Sequence, residues 1–279
     1  MATLGQSIDL ATLRPFPAAA CQLIRLIHNE RVDFRDVSNV IAVDAAFSSQ
    51  VLRLANSALI GGRYEITSIL QALSVVGVDR VRDIVVTVAL KNFVGDTDNA
   101  CLRRCWRHNL ATALWCEKLA ARFDIEIPLG YTAGILHDIG RIALLMLFPH
   151  DYAAFLDQAL PGPSDPLEAE RTYWQTDHCQ IGHSLGATWN FPSVLRDVIA
   201  HHHDAVTHQA PRVRWLAQAA CAAASMSGFC TVDLDQLWEP ERIENLLPAA
   251  ASGSSLQYED LLETVARKVN ETECSLVCG

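Results

Sequence analysis

The stretch YTAGILHDIGRIALLMLF, from Tyr131 to Phe148, decides how the chain is interpreted. It is apolar over most of its length and predicts a single long buried helix. His137 and Asp138 lie side by side within it. A buried carboxylate without a partner is costly. We therefore expect Asp138 to be partnered by a metal ion or by a histidine hydrogen bond.

Helical periodicity extends over the rest of the chain, and no run alternates as a strand would. Asp33 and Asp44 are predicted N-caps, Ser68 begins a further helix, and Asp79 is predicted to cap the helix after it. Gly77 is predicted to end the Ser68 helix in a left-handed conformation. Further helices are predicted at 17–27, 106–123, 167–175, 180–189, 193–200 and 211–230. The pattern predicts an all-α, multi-helical fold.

Breaks in these patterns suggest three parts. Gly61–Gly62 is predicted to end the helix that begins at Asp44, and Pro149 and the loop Pro161 to Pro166 interrupt the chain later. We predict an N-terminal helical part at 1–100, a central helical part at 101–230 that carries the His/Asp cluster, and an acidic helical tail at 231–279. From residue 201 onward five Lys/Arg face eleven Asp/Glu, so the acidity is concentrated at this end.

The composition narrows the classes of partner. The 279 residues are 50% hydrophobic, with a formal net charge of −10 and a pI near 5.4. An acidic surface disfavours nonspecific attraction to nucleic acid and to anionic lipid. The uncharged stretch Trp215 to Val232 is rich in Ala and Ser, which predicts a core helix and no membrane span. The N-terminus lacks the pattern of a signal peptide, so we expect a cytoplasmic protein.

The nine cysteines are scattered and form no CxxC pair. This pattern is typical of reduced, mostly buried thiols in the cytosol. A cysteine-based zinc site is the alternative interpretation, although the spacing does not match the common zinc knuckles.

Histidines and one Asp form a constellation whose side chains suit a metal ion. Imidazole and carboxylate groups bind Fe, Mn, Zn or Mg. A single histidine on a helix is usually a hydrogen-bonded core or surface residue, but this ordered set is unusual in an acidic helical chain. The candidate ligands are His108, His137, Asp138, His178, His202 and His203.

The chain resembles the HDOD family, the regulatory branch of the HD-domain metal-dependent phosphohydrolases. The resemblance covers roughly residues 14–204 and includes several motifs in order. They are RLANSAL (53–59), SILQALSVVGVDRVRDIV (68–85), WRHNLATA (106–113), AGILHDIGRIALL (133–145), TDHCQIGHSL (176–185) and VIAHHHD (198–204).

The resemblance implies a metal set in which His108, His137 and Asp138 match three ligands of the hydrolases. His178, His202 and His203 resemble additional ligands of the multi-metal relatives. The late Asp of the hydrolases should lie between Trp215 and Ala224, where this chain has no Asp and where Gln218 or Ala220 stands near the expected place. Loss of this ligand predicts a degenerate, non-catalytic site, with no required cofactor but room for a divalent metal.

Two functions follow as hypotheses. The first is a regulatory signalling module that contacts a partner protein and binds a ligand or metal in the degenerate site. The alternative is a metal-dependent phosphohydrolase acting on a nucleotide or cyclic dinucleotide, with Asp138 essential and Asp177 or Asp204 replacing the missing ligand. Arg104 and Arg107 beside His108 are candidates for the rim of a nucleotide-like ligand site.

A DNA-binding helix-turn-helix at residues 68–90 is a third hypothesis. The second helix of this pair is rich in Val and Ile at core spacing and the chain is acidic, so nucleic acid is not an expected partner.

Overall fold

The computed structural model describes residues 8–25, 33–57, 65–95, 98–158, 166–205, 207, 209–231, 243, 246–248 and 258–277. Within this part of the chain all regular secondary structure is helical, which confirms the predicted all-α class. The N-terminal helices are α1 (Ala18–Arg25), α2 (Phe34–Ala42), α3 (Ala45–Ala55), α4 (Ile69–Val76) and α5 (Val78–Val94). The later helices are α6 (Ala100–Leu119), α7 (Ile127–Leu136), α8 (Ile139–Leu147), α9 (Asp151–Gln158), α10 (Pro166–Trp174), α11 (His178–Thr188), α12 (Ser193–His201), α13 (Arg212–Met226) and α14 (Tyr258–Val277).

The predicted helix starts are confirmed at three caps and wrong at one. Asp33, Asp44 and Ser68 each accept a backbone N–H of the first turn through the side-chain oxygen. Gly77, with φ of +88°, ends α4 and is also the N-cap of α5. Asp79 therefore lies inside the first turn of α5, where it accepts a bond from Arg82 instead of capping the helix.

Some predicted breaks cannot be compared with the structure. The helix end at Gly61–Gly62 and the loop at 161–165 lie outside the described residues, as does most of the tail between 232 and 257. The three-part division of the chain stays a prediction.

The prediction of a single helix from Tyr131 to Phe148 is wrong. The structure has two helices here, α7 and α8, which meet at His137–Asp138. Asp138 adopts φ −109° and ψ 25°, and α8 opens with a hydrogen bond from the Arg141 N–H to the Asp138 carbonyl. The break turns α8 away from α7, so the His-Asp pair lies at a corner between two buried helices.

Two other elements differ from the prediction. The helix expected at 106–123 begins earlier, at Ala100, with Asn99 as its cap, and ends in a 3₁₀ turn at Ala120–Phe123. Helix α9 was not predicted, because Pro149 before it and the proline-rich loop after it indicated an irregular connection. Tyr152 and Leu156 form the buried face of this short helix.

The helices pack around α6 and α7. Helix α6 contacts α7 and α13, α8 crosses α11, and α12 packs on α7 and α13. Helices α1 and α3 pack on α5, which in turn contacts α6 and α7, and α14 lies across α3 and α6. The alanine-rich stretch after Trp215 forms the buried face of α13, as expected. Among the described residues, no helix combines the length and apolarity that a membrane crossing requires.

Candidate functional site

Five predicted site residues converge where α6, α7, α8, α11 and α12 meet. His108 projects from the middle of α6, His137 and Asp138 form the α7–α8 corner, His178 begins α11, and His202 follows α12. All five are at most 5% exposed. The ring centroid of His137 lies 5.3 Å from that of His108 and 4.9 Å from that of His202. Helix packing therefore brings together side chains that are up to 94 positions apart in the sequence.

His203 lies at the edge of this group. Its ring centroid is 5.0 Å from that of His178, but the residue is exposed. His203 is therefore the cluster member that meets solvent.

Three of the buried imidazoles have a defined orientation. His108 Nδ1 lies 2.6 Å from the Phe229 carbonyl, and His137 Nδ1 lies 2.7 Å from the Gly134 carbonyl. His202 Nδ1 is also within hydrogen-bond distance of a backbone carbonyl. A carbonyl only accepts, so each Nδ1 carries the hydrogen and each Nε2 is the acceptor atom of its ring. His108 Nε2 accepts from the Cys221 thiol at 3.5 Å, whereas His137 Nε2 and His202 Nε2 have no hydrogen-bond partner among the described residues. Burial lowers the pKa of all three rings, to about 4 for His137. These histidines are neutral near pH 7.

Asp138 is paired with an arginine that the sequence analysis did not single out. The Arg141 Nε donates to Asp138 Oδ2 at 2.7 Å, and both side chains are 3% exposed. Although burial opposes ionisation, the Arg141 guanidinium holds the pKa of Asp138 well below its usual range. Asp138 thus has a partner, but it is the Arg141 guanidinium and not the metal ion or histidine hydrogen bond that was predicted; His178 Nε2 lies 3.4 Å from the other carboxylate oxygen.

A second buried carboxylate, Glu170 of α10, was also missed. It is fully buried and accepts from the Tyr152 hydroxyl at 2.7 Å, from the His178 backbone N–H at 2.8 Å, and from His178 Nδ1 at 2.7 Å. Arg141 Nη1 lies 3.5 Å from it. Glu170 stands in the charged segment LEAERTYW, where nothing distinguishes it from a solvent-facing residue.

Glu170 and His178 form an ion pair. Burial opposes the charge on Glu170, but His178 lowers the pKa of this carboxyl to about 2. Burial and Arg141 oppose the charge on His178, yet Glu170, Cys179 and Asp138 raise its pKa to about 10. His178 would have to give up this proton before acting as a metal ligand, a role that stays a prediction.

Helix α13, which spans the stretch where the resemblance predicts the late Asp, brings a cysteine to the cluster. Gln218 donates to the Asp204 carbonyl at 2.6 Å, and Ala220 is packed in the core. Cys221 is the α13 residue whose side chain reaches the cluster, with Sγ 3.5 Å from His108 Nε2. No motif in the sequence marks this cysteine.

The two carboxylates that could have replaced the late Asp are engaged elsewhere. Asp177 caps α11 through the Gln180 N–H and accepts from Arg171 at 2.6 Å. Asp204 is paired with His201 Nδ1 at 2.8 Å and is half exposed.

Donor atoms suitable for a metal ion form two groups. One is His108, His137 and Cys221; the other is His178, Cys179, His202 and His203. Within each group the donor atoms lie within 4.8 Å of one another. His137 Nε2, His202 Nε2 and Asp138 Oδ1 are buried and have no hydrogen-bond partner among the described residues. The site is thus a candidate His/Cys metal site, and its donors are mainly nitrogen and sulfur.

The predicted ligand rim lines a surface pocket of about 450 Å³ beside His108. Its walls include Arg103, Arg104, Arg107 and Phe229. Arg104 donates to Asp157 at 2.9 Å, and Arg107 donates to Glu273 of α14 at 2.6 Å. The arginines are therefore paired with carboxylates of the chain, and binding of a nucleotide-like ligand there stays a prediction.

Solved structures with the same fold share about a fifth of their sequence with this chain. An HDOD domain protein of unknown function from Geobacter sulfurreducens is 21% identical, with a TM-score of 0.74 over 94% of this chain and 92% of that one. A provisionally named phosphohydrolase from Shewanella amazonensis is 22% identical, with a TM-score of 0.72 over 96% of both chains. A provisionally named signal transduction protein from Marinobacter aquaeolei is 20% identical, with a TM-score of 0.65 over 99% of this chain and 61% of that one.

An uncharacterized protein of Treponema pallidum is 23% identical over 205 residues, which are 73% of this chain but 39% of that protein. The chain thus spans well under half of that relative's length. The family model for the HDOD domain matches residues 13–205, from the segment before α1 to the end of the histidine run. Since this match covers more than half of the 279 residues, the chain belongs to the HDOD family.

Proposed function

We propose that this protein is a regulatory signalling module whose former hydrolytic centre now serves as a charged structural core. One observation carries the proposal: the buried Arg141 guanidinium bonds to Asp138, the residue that the hydrolases use to hold metal. In such hydrolases a bound dication activates water and stabilises the charge of the phosphate ester. Here a fixed cation of the chain already neutralises the carboxylate.

The positive charge of Arg141 would repel a divalent cation bound to Asp138. Two unit charges 4 Å apart repel by roughly 4 kcal/mol at an effective dielectric constant of about 20, and a dication doubles this energy. The lost late Asp would have offset part of that repulsion. Both changes weaken a metal centre held by Asp138.

Burial is a further argument against hydrolysis. The His-Asp pair, His108, His178 and His202 are at most 5% exposed. A phosphate ester would need the helices around the α7–α8 corner to separate before it could touch Asp138.

Signalling through protein contacts is the role we infer in place of catalysis. Helices α2 and α4 pack together, and apolar side chains at their ends are exposed: Val43, the residue after α2, is 87% exposed and Val75 of α4 is 53% exposed. Exposed apolar groups of this kind suit a partner protein. We place this signalling role in the cytoplasm, because scattered cysteines without a CxxC pair are typical of reduced thiols.

A metal-dependent phosphohydrolase remains the alternative because three buried ligand atoms have no hydrogen-bond partner within the described part of the chain: His137 Nε2, His202 Nε2 and Asp138 Oδ1. Together they could hold an ion such as Mn²⁺ or Fe²⁺. The two functions predict different results in one assay.

The assay measures hydrolysis of phosphomonoester, phosphodiester and cyclic dinucleotide substrates by the purified chain, with Mn²⁺ or Fe²⁺ added. The proposed function predicts no turnover above that of the Asp138→Ala variant. Metal-dependent turnover that disappears in Asp138→Ala would establish the hydrolase and refute the proposal.

A further inference from the structure

The surface pocket of about 450 Å³ beside α6 has a wall of three arginines. Arg103, Arg104 and Arg107 lie in the first half of that helix, at spacings of one and three residues. The Phe229 ring closes one side of the pocket, and the Arg107 guanidinium lies 5.3 Å from its centroid. The described residues that line the pocket include no member of the His/Asp cluster. The volume is within the range of small-molecule sites, about 300–1,000 Å³.

The carboxylate of Glu273 lies between two of these arginines. Arg103 Nε donates to Glu273 Oε1 at 2.5 Å, and Arg107 Nη1 donates to Oε2 at 2.6 Å. The Glu273 side chain is 10% exposed. Burial opposes its charge, but Arg103 and Arg107 hold the pKa of this carboxyl below its ordinary value, so it is an anion near pH 7. Helix α14 thus supplies an internal anion to the arginines of α6.

One carboxylate is a poor charge match for two guanidinium groups. A phosphate monoester carries about −1.5 to −2 charges near pH 7 and presents three acceptor oxygens. Arginine binds phosphate with two parallel N–H donors, a geometry that lysine does not offer. Two acidic side chains oppose an anion here: Asp157, which pairs with Arg104 at 2.9 Å, and Asp98, which lines the pocket. Both are exposed, so water and salt screen their charges.

We propose that this pocket binds a small phosphate ester whose phosphate group replaces the Glu273 carboxylate between Arg103 and Arg107. The remainder of the ligand lies in the pocket against Phe229. Because Glu273 is displaced, binding loosens the attachment of α14 to α6. As the input of a signalling module the inference rests on the proposed function, but the binding itself is independent of it.

Helix α14 is well placed to respond to such a ligand, because it packs on both α6 and α3. Glu273 lies in the last part of this helix, and Asn270 accepts a further bond from Arg107 at 2.7 Å. An occupied pocket would compete for both contacts. Val265 and Val269 are fully buried and keep the middle of α14 in place. We therefore expect the ligand to loosen the C-terminal turns of α14 without unfolding the helix.

The probes for the test are adenosine monophosphate (AMP), inorganic phosphate and adenosine, titrated into the full chain by calorimetry at constant ionic strength. We expect AMP to bind more tightly than inorganic phosphate, and adenosine to show no binding. Arg103→Gln should weaken the binding of AMP at least tenfold. Arg267→Gln is the matched control and should leave the affinity unchanged, because Arg267 is 60% exposed on α14 and Arg103 is 61% exposed on α6.

Competition with Glu273 provides a second measurement. Glu273→Gln removes the internal negative charge, so AMP should bind at least threefold more tightly to this variant. Glu271→Gln removes an exposed pair with Arg267 on the same helix and should leave the affinity as it is. AMP added to the unmodified chain should speed amide hydrogen exchange in the last turns of α14.

Four results would overturn the site. They are an unmodified chain that binds neither AMP nor phosphate, adenosine that binds as tightly as AMP, an affinity for AMP that is equal in Arg103→Gln and Arg267→Gln, and an affinity that Glu273→Gln leaves unchanged. Equal affinities for AMP and inorganic phosphate would assign the arginines to free phosphate and refute the ester. Phosphoester turnover enters none of these measurements, so the site and the proposed function can fail separately.

Discussion

At the scale of single residues, four buried charged side chains balance one another at the centre of the protein. Asp138 and Glu170 are the anions, and Arg141 and His178 are the cations. Burying any one of them alone would be expensive, whereas the four together carry no net charge. Arg141 contacts both carboxylates, and its Nη2 lies 3.3 Å from His178 Nε2, where it opposes the charge on that ring.

Replacing Arg141 should be strongly destabilising. Arg141→Met leaves both carboxylates with His178 as the remaining cation, and breaking a buried pair in this way costs about 3–5 kcal/mol. Urea unfolding followed by circular dichroism measures the change. Arg104→Met is the matched control, because this partly exposed arginine pairs with a half-exposed Asp157 and should cost no more than about 1 kcal/mol. Equal effects of the two substitutions would contradict the assignment.

The Glu170–His178 pair predicts how the free energy of unfolding changes with pH. The pKa of His178 is about 10 in the fold against 6.5 ordinarily, so the folded chain holds a proton that the unfolded chain releases. The stabilisation is complete below pH 6.5 and is lost as pH rises towards 10, by at most about 1.4 kcal/mol per pH unit. The pKa of Glu170 is about 2 against 4.5, so its stabilisation is complete above pH 4.5 and is lost as pH falls towards 2.

Glu170→Gln should flatten the alkaline decline, because the amide no longer holds the proton on His178. The measurement is the urea midpoint across the interval from pH 6.5 to 10. Glu168→Gln changes an exposed carboxylate on the same helix and should leave the slope as it is. If both variants follow the unmodified protein, the ion pair is not what holds the proton.

At the scale of elements, the site depends on the close crossing of α8 and α11. A Cβ added at Gly140 would lie 1.8 Å from the His178 carbonyl oxygen and 2.6 Å from the Gly182 nitrogen, both backbone atoms. This crossing places His178 against the His-Asp corner. We expect Gly140→Ala to destabilise by about 3 kcal/mol or more, as overpacking against backbone does in the severe cases.

Thermal unfolding by circular dichroism measures this effect, with Gly186→Ala as the control. A Cβ at Gly186 would meet the flexible Arg196 side chain at 3.2 Å, so a small change is expected. A Gly140→Ala protein as stable as the control would show that α8 and α11 are not held this closely.

Helix α14 is attached to α6 by charged groups as well as by its apolar face. Glu273 accepts from Arg103 and Arg107, and Lys268 lies 3.5 Å from Glu117. Glu273→Gln should cost about 1 kcal/mol and increase amide hydrogen exchange along α14. Glu271→Gln, which removes an exposed pair with Arg267 within the same helix, should change exchange much less. Unchanged exchange in Glu273→Gln would mean that apolar contacts alone hold α14.

Sequence patterns predicted most helices but not the one break that builds the site. Caps such as Asp33 and Ser68 have a local physical signal, because a side-chain oxygen meets the first-turn N–H groups. The break at His137–Asp138 has no comparable local signal, and it lies where α8 packs against α11. Tertiary contacts therefore overrode the local pattern.

At the scale of the whole molecule, the convergence of His108, His137, Asp138, His178 and His202 was foreseen through the family resemblance. Their partners were not, because an arginine or glutamate on a helix is ordinarily solvent-facing. Arg141 and Glu170 are ionised residues inside the core, and only the three-dimensional structure shows what neutralises them. The contact of Cys221 with the cluster was not predicted either, because a cysteine in an alanine-rich helix has the pattern of ordinary core packing.

Whether Arg141 or a metal ion is the partner of Asp138 can be decided by anomalous scattering from crystals of the unmodified protein grown with excess Mn²⁺. We expect the Arg141 guanidinium to be bonded to Asp138 and no manganese to be coordinated by that carboxylate. A manganese peak bound to Asp138, with Arg141 displaced from it, would show that a metal ion is the partner instead.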